Sequence, residues 1–199
     1  KAMLNAEREG FDAVSGACYF DSGVRTGNNL LSIPVVGAAE ATMHMAGLMG
    51  RKFAVVTSEP VWVPFMADHL IKMGFAPFAV SHRPVRAMTM PLESMIGDLL
   101  SGRYDKIVEN FLETCRECLV DGAEVIIAGC GLISPIFPVK GIVELEGAPI
   151  LDPMAMALKI TETLTKLKMS GMQVKSQKGM SLKAPKELMA KGLKELKLA

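Results

Sequence analysis

The sequence predicts an α/β fold of two pseudo-symmetric domains, each a mostly parallel sheet flanked by helices, with a cleft between them. Two observations predict it. Short apolar runs bounded by glycine or proline alternate with segments that are apolar at helical spacing, the pattern of parallel strands joined by helical crossovers. The second observation is an internal repeat. Asp12-Ala13-Val14-Ser15-Gly16-Ala17-Cys18 resembles Ala123-Glu124-Val125-Ile126-Ile127-Ala128-Gly129-Cys130, and in both a short buried strand runs through small residues into a cysteine, the cysteines lying 112 residues apart. Ile33-Pro34-Val35-Val36 and Ala148-Pro149-Ile150-Leu151 keep step, with prolines 115 residues apart, and each precedes a helix rich in Ala and Met. Two landmarks at nearly one offset point to a duplicated α/β unit.

In chain order, the residues from Lys1 open inside a helical pattern and do not begin with Met, as in a fragment of a longer chain. Phe11–Gly16 and Ile33–Gly37 read as short buried strands. Glu40–Met49 is apolar at helical spacing and stops at Gly50, a C-cap residue. Lys52–Thr57 is a strong strand, with four apolar residues in a row and a β-branched end. Pro64–Met73 predicts a helix stopped by Gly74, and Phe75–Val80 a strand. Tyr104–Val120 is a long amphipathic helix stopped near Gly122, and Glu124–Gly129 a core strand. Ala148–Asp152 is the last strand, Met154–Lys168 a helix, and Pro185–Leu198 a solvated, lysine-rich helix. The expected domains are 1–48 together with 149–199, and 49–148.

The 199 residues are 50% apolar and 22% charged, which suits a globular chain with a sizeable core and excludes disorder. A net charge of +1 gives no global pull toward nucleic acid. Nine lysines against two glutamates from Lys166 onward give that end +7 and the rest −6, but with no arginine or aromatic residue interleaved the basic end reads as a solvated face. A membrane span is excluded, because the longest apolar candidate, Val125 to Val139, is broken by Gly129, Gly131, Ser134, Pro135 and Pro138. Four cysteines are too few for a disulfide scaffold, and the charged N-terminal residues contain no apolar signal core. These features predict a reduced, cytoplasmic protein that meets a small molecule rather than nucleic acid or membrane; a homo-oligomer is expected as well, although these features do not themselves give the oligomeric state.

The chemistry rests on the repeat. In open α/β sheets ligands bind at the carboxyl ends of strands, where both Cys18 and Cys130 sit. Two halves facing each other bring them to opposite walls of one cleft. Gly16, Gly129 and Gly131 allow close backbone approach and leave amides free to lower a thiol pKa from its usual value of about 8.5. One thiolate can then take a proton from a carbon acid while the opposite thiol donates one to the other face, and the amides stabilise the enolate oxygen. A free cysteine is otherwise a small buried hydrophobe. Its paired placement in a repeat is what separates this pair from that simpler role.

The remaining candidates have plainer explanations. Cys115 and Cys118 have redox-motif spacing but lie inside the Tyr104–Val120 helix, with no second ligand pair, so they read as core and no metal site is expected. His44, His69 and His82 are scattered, His44 being nearest a strand-end loop. Glu40 suits a helix start, and Asp21 and Asp152 suit N-caps or tuning of the site. The methionine groups Met43, Met45, Met49 and Met88, Met90, Met95 suit core gaps or a subunit contact. No glycine-rich phosphate loop is present.

Gly16-Ala17-Cys18-Tyr19-Phe20-Asp21-Ser22-Gly23, Ile33 to Ala41, Lys52 to Thr57, Gly129-Cys130-Gly131 and Pro149-Ile150-Leu151-Asp152-Pro153 together resemble the aspartate/glutamate/hydantoin racemase superfamily over about residues 5–170, nearest its hydantoin and allantoin branch. The resemblance implies a cofactor-independent racemase with two pseudo-symmetric α/β domains, and Cys18 and Cys130 as its acid/base residues. It implies that Thr57 and Ser58 hold substrate oxygens, and that Tyr19, Phe20, Gly131 and Leu132 line the pocket. Amino-acid racemases of the superfamily carry Asn-Thr after the first cysteine and Thr-His after the second. Tyr19-Phe20 and Gly131-Leu132 stand there instead and suit a flat neutral ring, such as a 5-substituted hydantoin or allantoin, better than a zwitterion. The family's opening strand, with its Asn-Pro-Asn turn, has no counterpart in these residues, so the first domain is expected to lack a central strand and the site a wall. On the same fold the alternatives are a decarboxylase or cis–trans isomerase of a dicarboxylic acid; from another class, a non-catalytic ligand-binding protein.

Overall fold

The computed structural model describes residues 1–176, 178 and 185–195. Helix α1 (Ala2–Arg8) leads to β1 (Val14–Ser15), α2 (Val24–Leu30), β2 (Val35–Val36) and α3 (Ala38–Met49). β1 and β2 pair in parallel, with Val14 opposite Val35, as the alternation predicts. A second, larger sheet follows from β3 (Phe53–Thr57), helix α4 (Val63–Lys72), β4 (Val85–Ala87), α5 (Leu92–Leu100), α6 (Asp105–Val120), β5 (Val125–Ala128), α7 (Ile136–Val139), β6 (Glu144–Leu145) and β7 (Ala148–Leu151). Its order is β4-β3-β5-β7-β6, parallel throughout except for the β6–β7 edge pair. Helix α8 (Pro153–Met169) then turns back to pack on α3, β1 and β2. The expected strand Ala148–Asp152 thus lies in the larger sheet, and the chain crosses back to the smaller one at Asp152.

Both faces of the larger sheet are covered, which is why its strands read as unbroken apolar runs rather than alternating ones. Ala54, Val56, Ile126 and Ala128 face α6, meeting Ile107, Phe111, Cys115 and Cys118. Phe53, Val55, Val125 and Ile127 face the other way, onto Ala39, Met43 and Ala46 of α3 and Met66 and Leu70 of α4. The side-chain period of two sends neighbouring residues of one strand into the two separate cores. Cys115 and Cys118 are fully buried packing residues, as their helical context predicts.

Several local expectations are corrected. Phe75–Val80 is no strand but a single 3₁₀ turn at Ala76–Phe78 with one bridge from Ala79 to Phe53. Pro77 has no N–H to give a ladder. The edge place beside β3 goes instead to β4, whose central Arg86 interrupts the apolar pattern that marks a buried strand. Gly50 ends α3 with extended backbone rather than a left-handed cap. Its role is space, since a Cβ there would lie 2.8 Å from Val125 Cγ2. Helices α2, α5 and α7 and strand β6 were too short or too polar to stand out. The basic helix is present as α9 (Lys186–Glu195), while 196–198 of its expected span lie outside the described residues. Among the described residues no helix is long and apolar enough to cross a membrane.

Arg86 is 2% exposed, and its guanidinium pairs with Asp121 just past the end of α6 and lies 3.7 Å from Glu117. His82 Nδ1 lies 2.9 Å from the same Asp121 carboxylate. The hydrogen bond to His82, then that to Arg86, holds the Asp121 carboxyl below its usual range. A depressed carboxyl stabilises the fold above its unfolded pKa and loses that contribution as pH falls through the lower folded value. Asp121→Asn is therefore expected to lower the urea midpoint at neutral pH, with the difference from the parent closing as the pH falls below about 4. A constant difference down to acid pH would remove Asp121 from this role.

Candidate active site

Each cysteine occupies a loop that leaves the carboxyl end of a parallel strand. In the first, the Gly16 amide donates to the Val36 carbonyl at 2.7 Å, carrying the pairing of β1 with β2 one step past the strand. Cys18 follows and is exposed, and its carbonyl accepts the Asp21 amide at 3.0 Å. Asp21 takes a left-handed backbone, φ 50°. Its carboxylate thereby reaches the start of α3 and accepts the Ala39 and Glu40 amides, each at 2.9 Å. Those amides have no partner within the helix, and the helix dipole adds to the attraction. Gly37 is required beneath it, because a Cβ there would fall 2.3 Å from Asp21 Cγ. His69 Nε2 is 3.7 Å from the same carboxylate.

The second loop is built alike. The Gly129 amide donates to the Val56 carbonyl at 2.8 Å, and the half-buried Cys130 offers its carbonyl to the Ile133 and Ser134 amides. The fully buried Ser134 hydroxyl donates to Asp152 at 2.6 Å, and the Asp152 carboxylate accepts the Met154 amide at 2.9 Å as the N-cap of α8. A carboxylate at a helix start thus anchors both cysteine loops. The two helices pack on each other through Ala38, Ala41 and Ala157, whose small side chains let the axes approach closely.

The loops also touch directly. A Cβ on Gly131 would lie 2.8 Å from the Ala17 carbonyl oxygen, so the residues adjoining Cys130 and Cys18 are in backbone contact. Thr57 and Ser58 lie at the same sheet end, because Val56 pairs with Ala128 just before Gly129. Both are buried, and Thr57 Oγ1 has no hydrogen-bond partner among the described residues. The sequence-predicted residues Cys18, Phe20, Thr57, Ser58, Cys130 and Gly131 therefore gather where β1, β3 and β5 end. Tyr19 points inward, 3% exposed, packed with Met43, Phe53 and Val55; burial pushes its phenol far up, and the Asp21 charge adds to this. Leu132 points outward, 64% exposed. His44 stands apart, its ring edge-on to Phe75 at 4.8 Å. No group of three or more metal-ligating side chains occurs among the described residues.

Two neighbours of the site, His69 and Trp62, have no role that the sequence alone assigns. His69 carries no sequence signal, since its helical position says nothing of Asp21. Trp62 had one, being the sole tryptophan and four residues past Ser58. Its ring meets that of Phe20 edge-on at 5.4 Å.

The sequence profile of the family described as Asp/Glu/hydantoin racemase matches residues 1–161. A hydantoin racemase of Rhizobium meliloti is 30% identical over 163 residues, which are 81% of this chain and 64% of the relative, so the chain spans less than two thirds of that protein's length. An allantoin racemase from Klebsiella pneumoniae superposes with a TM-score of 0.77 at 26% identity, covering 93% of this chain and 70% of that one. An allantoin racemase from Pseudomonas fluorescens gives 0.72 at 29% identity, covering 88% and 70%.

The Asp21 anchor is open to a thermodynamic cycle. Asp21→Ala is expected to cost about 1 kcal/mol of stability, as loss of a helix cap does. Gly37→Ala places a methyl group where the carboxylate sits and costs at least as much. Because both break one contact, the double variant should cost clearly less than the two added together, read from urea unfolding. Strict additivity would show that the carboxylate and Gly37 act separately.

Proposed function

The chain belongs to the Asp/Glu/hydantoin racemase family, and from that premise we propose that it is a cofactor-independent racemase in which Cys18 and Cys130 act as opposed acid and base on a hydantoin-like carbon acid, a 5-substituted hydantoin or allantoin. The observation that carries the reading is the Gly131–Ala17 contact, which sets the two cysteine loops wall to wall. The proposed domains keep the expected arrangement, but because β7 (Ala148–Leu151) pairs with β5 in the larger sheet the second boundary moves from 148 to Asp152, giving 1–48 with 153–199, and 49–152, the site lying between them, in a cytoplasmic homo-oligomer.

In the proposed reaction the thiolate of one cysteine takes the proton from the ring carbon that bears the substituent. That carbon lies beside a carbonyl, so the electron pair passes into the ring and the charge rests on oxygen as an enolate. The other thiol then gives its proton to the opposite face. The carbon is inverted, the first cysteine ends as thiol and the second as thiolate, and the reverse turn restores them. The unpaired hydroxyl of Thr57, with Ser58 beside it, supports a role in holding substrate oxygens. A buried donor left unpaired costs about 1–3 kcal/mol, which a ligand oxygen would return. Phe20 supplies apolar surface, Gly131 close approach, and Tyr19 the floor beneath the first loop, while the outward-pointing Leu132 takes no part in the proposed pocket.

Incubating one enantiomer of a 5-substituted hydantoin in deuterated water is expected to invert the stereocentre and place deuterium at that carbon, followed by polarimetry and mass spectrometry. Cys18→Ser and Cys130→Ser should each lower the racemisation rate at least about 100-fold, the scale of a lost general acid or base. Full activity in either variant would rule out the two-base reaction, and release of carbon dioxide or a change of double-bond geometry would assign a different reaction.

A further inference from the structure

We propose that Trp62, with Phe20, forms an aromatic wall beside Cys18 that selects substrates by their ring substituent, favouring planar apolar groups; this rests on the racemase reading of the same site. Three loops meet around Cys18. The residue before it, Ala17, touches Gly131 of the Cys130 loop, and Phe20, two residues after it, touches Trp62 of the loop that follows β3. Within its own loop Cys18 therefore lies between a residue that touches the second cysteine loop and a residue that touches the indole.

Trp62 sits on a short 3₁₀ turn, Pro60–Trp62, that rises from the buried Thr57 and Ser58. This turn carries the indole from the end of the larger sheet across to the loop of the smaller one. The Phe20 ring meets it at 63° and Phe65 tilts at 6.4 Å, so neither stacks parallel on the indole, and Trp62 keeps 38% of its surface exposed. Phe65 and Val61 beside it are 59% and 56% exposed. Single exposed apolar residues need no explanation, but three together beside the Cys18 loop form a surface that stacks a ring and offers an anionic substituent no partner.

Because Trp62 is the sole tryptophan, indole emission reports on this wall alone. Titration of the parent protein with 5-benzylhydantoin is expected to change the emission with saturation at about tenfold lower concentration than 5-methylhydantoin, the scale of one aromatic contact. Trp62→Ala should raise KM for 5-benzylhydantoin about tenfold, leave kcat for it within threefold, and leave KM for 5-methylhydantoin within about twofold. Trp62→Phe should restore most of the difference and controls for folding. Equal effects of Trp62→Ala on both substrates would overturn the proposal. So would emission that follows protein concentration and ignores hydantoin, which would assign the patch to a contact between copies of the chain. Saturable emission without turnover would leave the wall standing and remove the racemase reading; turnover without any emission or KM change would do the reverse.

Discussion

The arrangement depends on two carboxylates, Asp21 and Asp152, each fastening a cysteine loop to the start of a helix. A loop at a strand end has few backbone partners of its own, and a thiol on such a loop would wander. Asp21 reaches two amides of α3, and Asp152 joins the Ser134 hydroxyl to an amide of α8. Because α3 and α8 pack together through alanines, the two anchors sit at the starts of neighbouring, packed helices. The packing ties the two loops together through those helices. The proposed two-sided chemistry depends on groups held in place in this way.

The larger sheet supplies the third wall. Its central strands are buried on both faces, so their register is fixed by packing from above and below, and a slip by one residue would exchange Phe53 and Val55 with Ala54 and Val56 between two differently shaped cores. That register brings Thr57 level with Gly129. Gly129 itself has no room for a side chain, since a Cβ would lie 2.5 Å from Val55 Cγ1. Glycine is thus needed at Gly37, Gly129 and Gly131 for the same reason, the close approach of neighbouring atoms.

The sequence made the strands of the repeat and the long helices legible because apolar periodicity reports burial directly. Val125–Ala128 and Phe53–Thr57 could scarcely be read otherwise. It also pointed to Cys18 and Cys130, whose matching places in the repeat are a local signal. What escaped depends on distant partners. β4 is hidden by Arg86, a charged residue tolerated inside only because Asp121, 35 residues later, answers it. The false strand at Phe75–Val80 has the apolar composition of a strand but contains Pro77, whose missing N–H decides the matter. Trp62 gains its meaning from Phe20, and His69 from Asp21, contacts that no local pattern encodes. Asp21 fits a cap or a tuning group equally well from sequence, because its partners lie 18 and 19 residues onward.

The charge of the three converging loops bears on what they can hold. Across 16–22, 57–62 and 129–134 there is no lysine, arginine or histidine, and the acidic residues are Asp21 and Glu59. Asp21 already spends its carboxylate on two helix amides, and its nearest basic neighbour, His69, stands against that same carboxylate. An α-amino acid would bring a carboxylate into these loops with no cation to meet it, and removing such a charge from water unpaired is costly. A neutral ring brings no such charge, and its carbonyl oxygens can be met by hydroxyls and backbone amides alone. The unpaired Thr57 hydroxyl and the aromatic edge formed by Phe20 and Trp62 are the features of these loops on which the proposal of a neutral, hydantoin-like ring over a zwitterion rests.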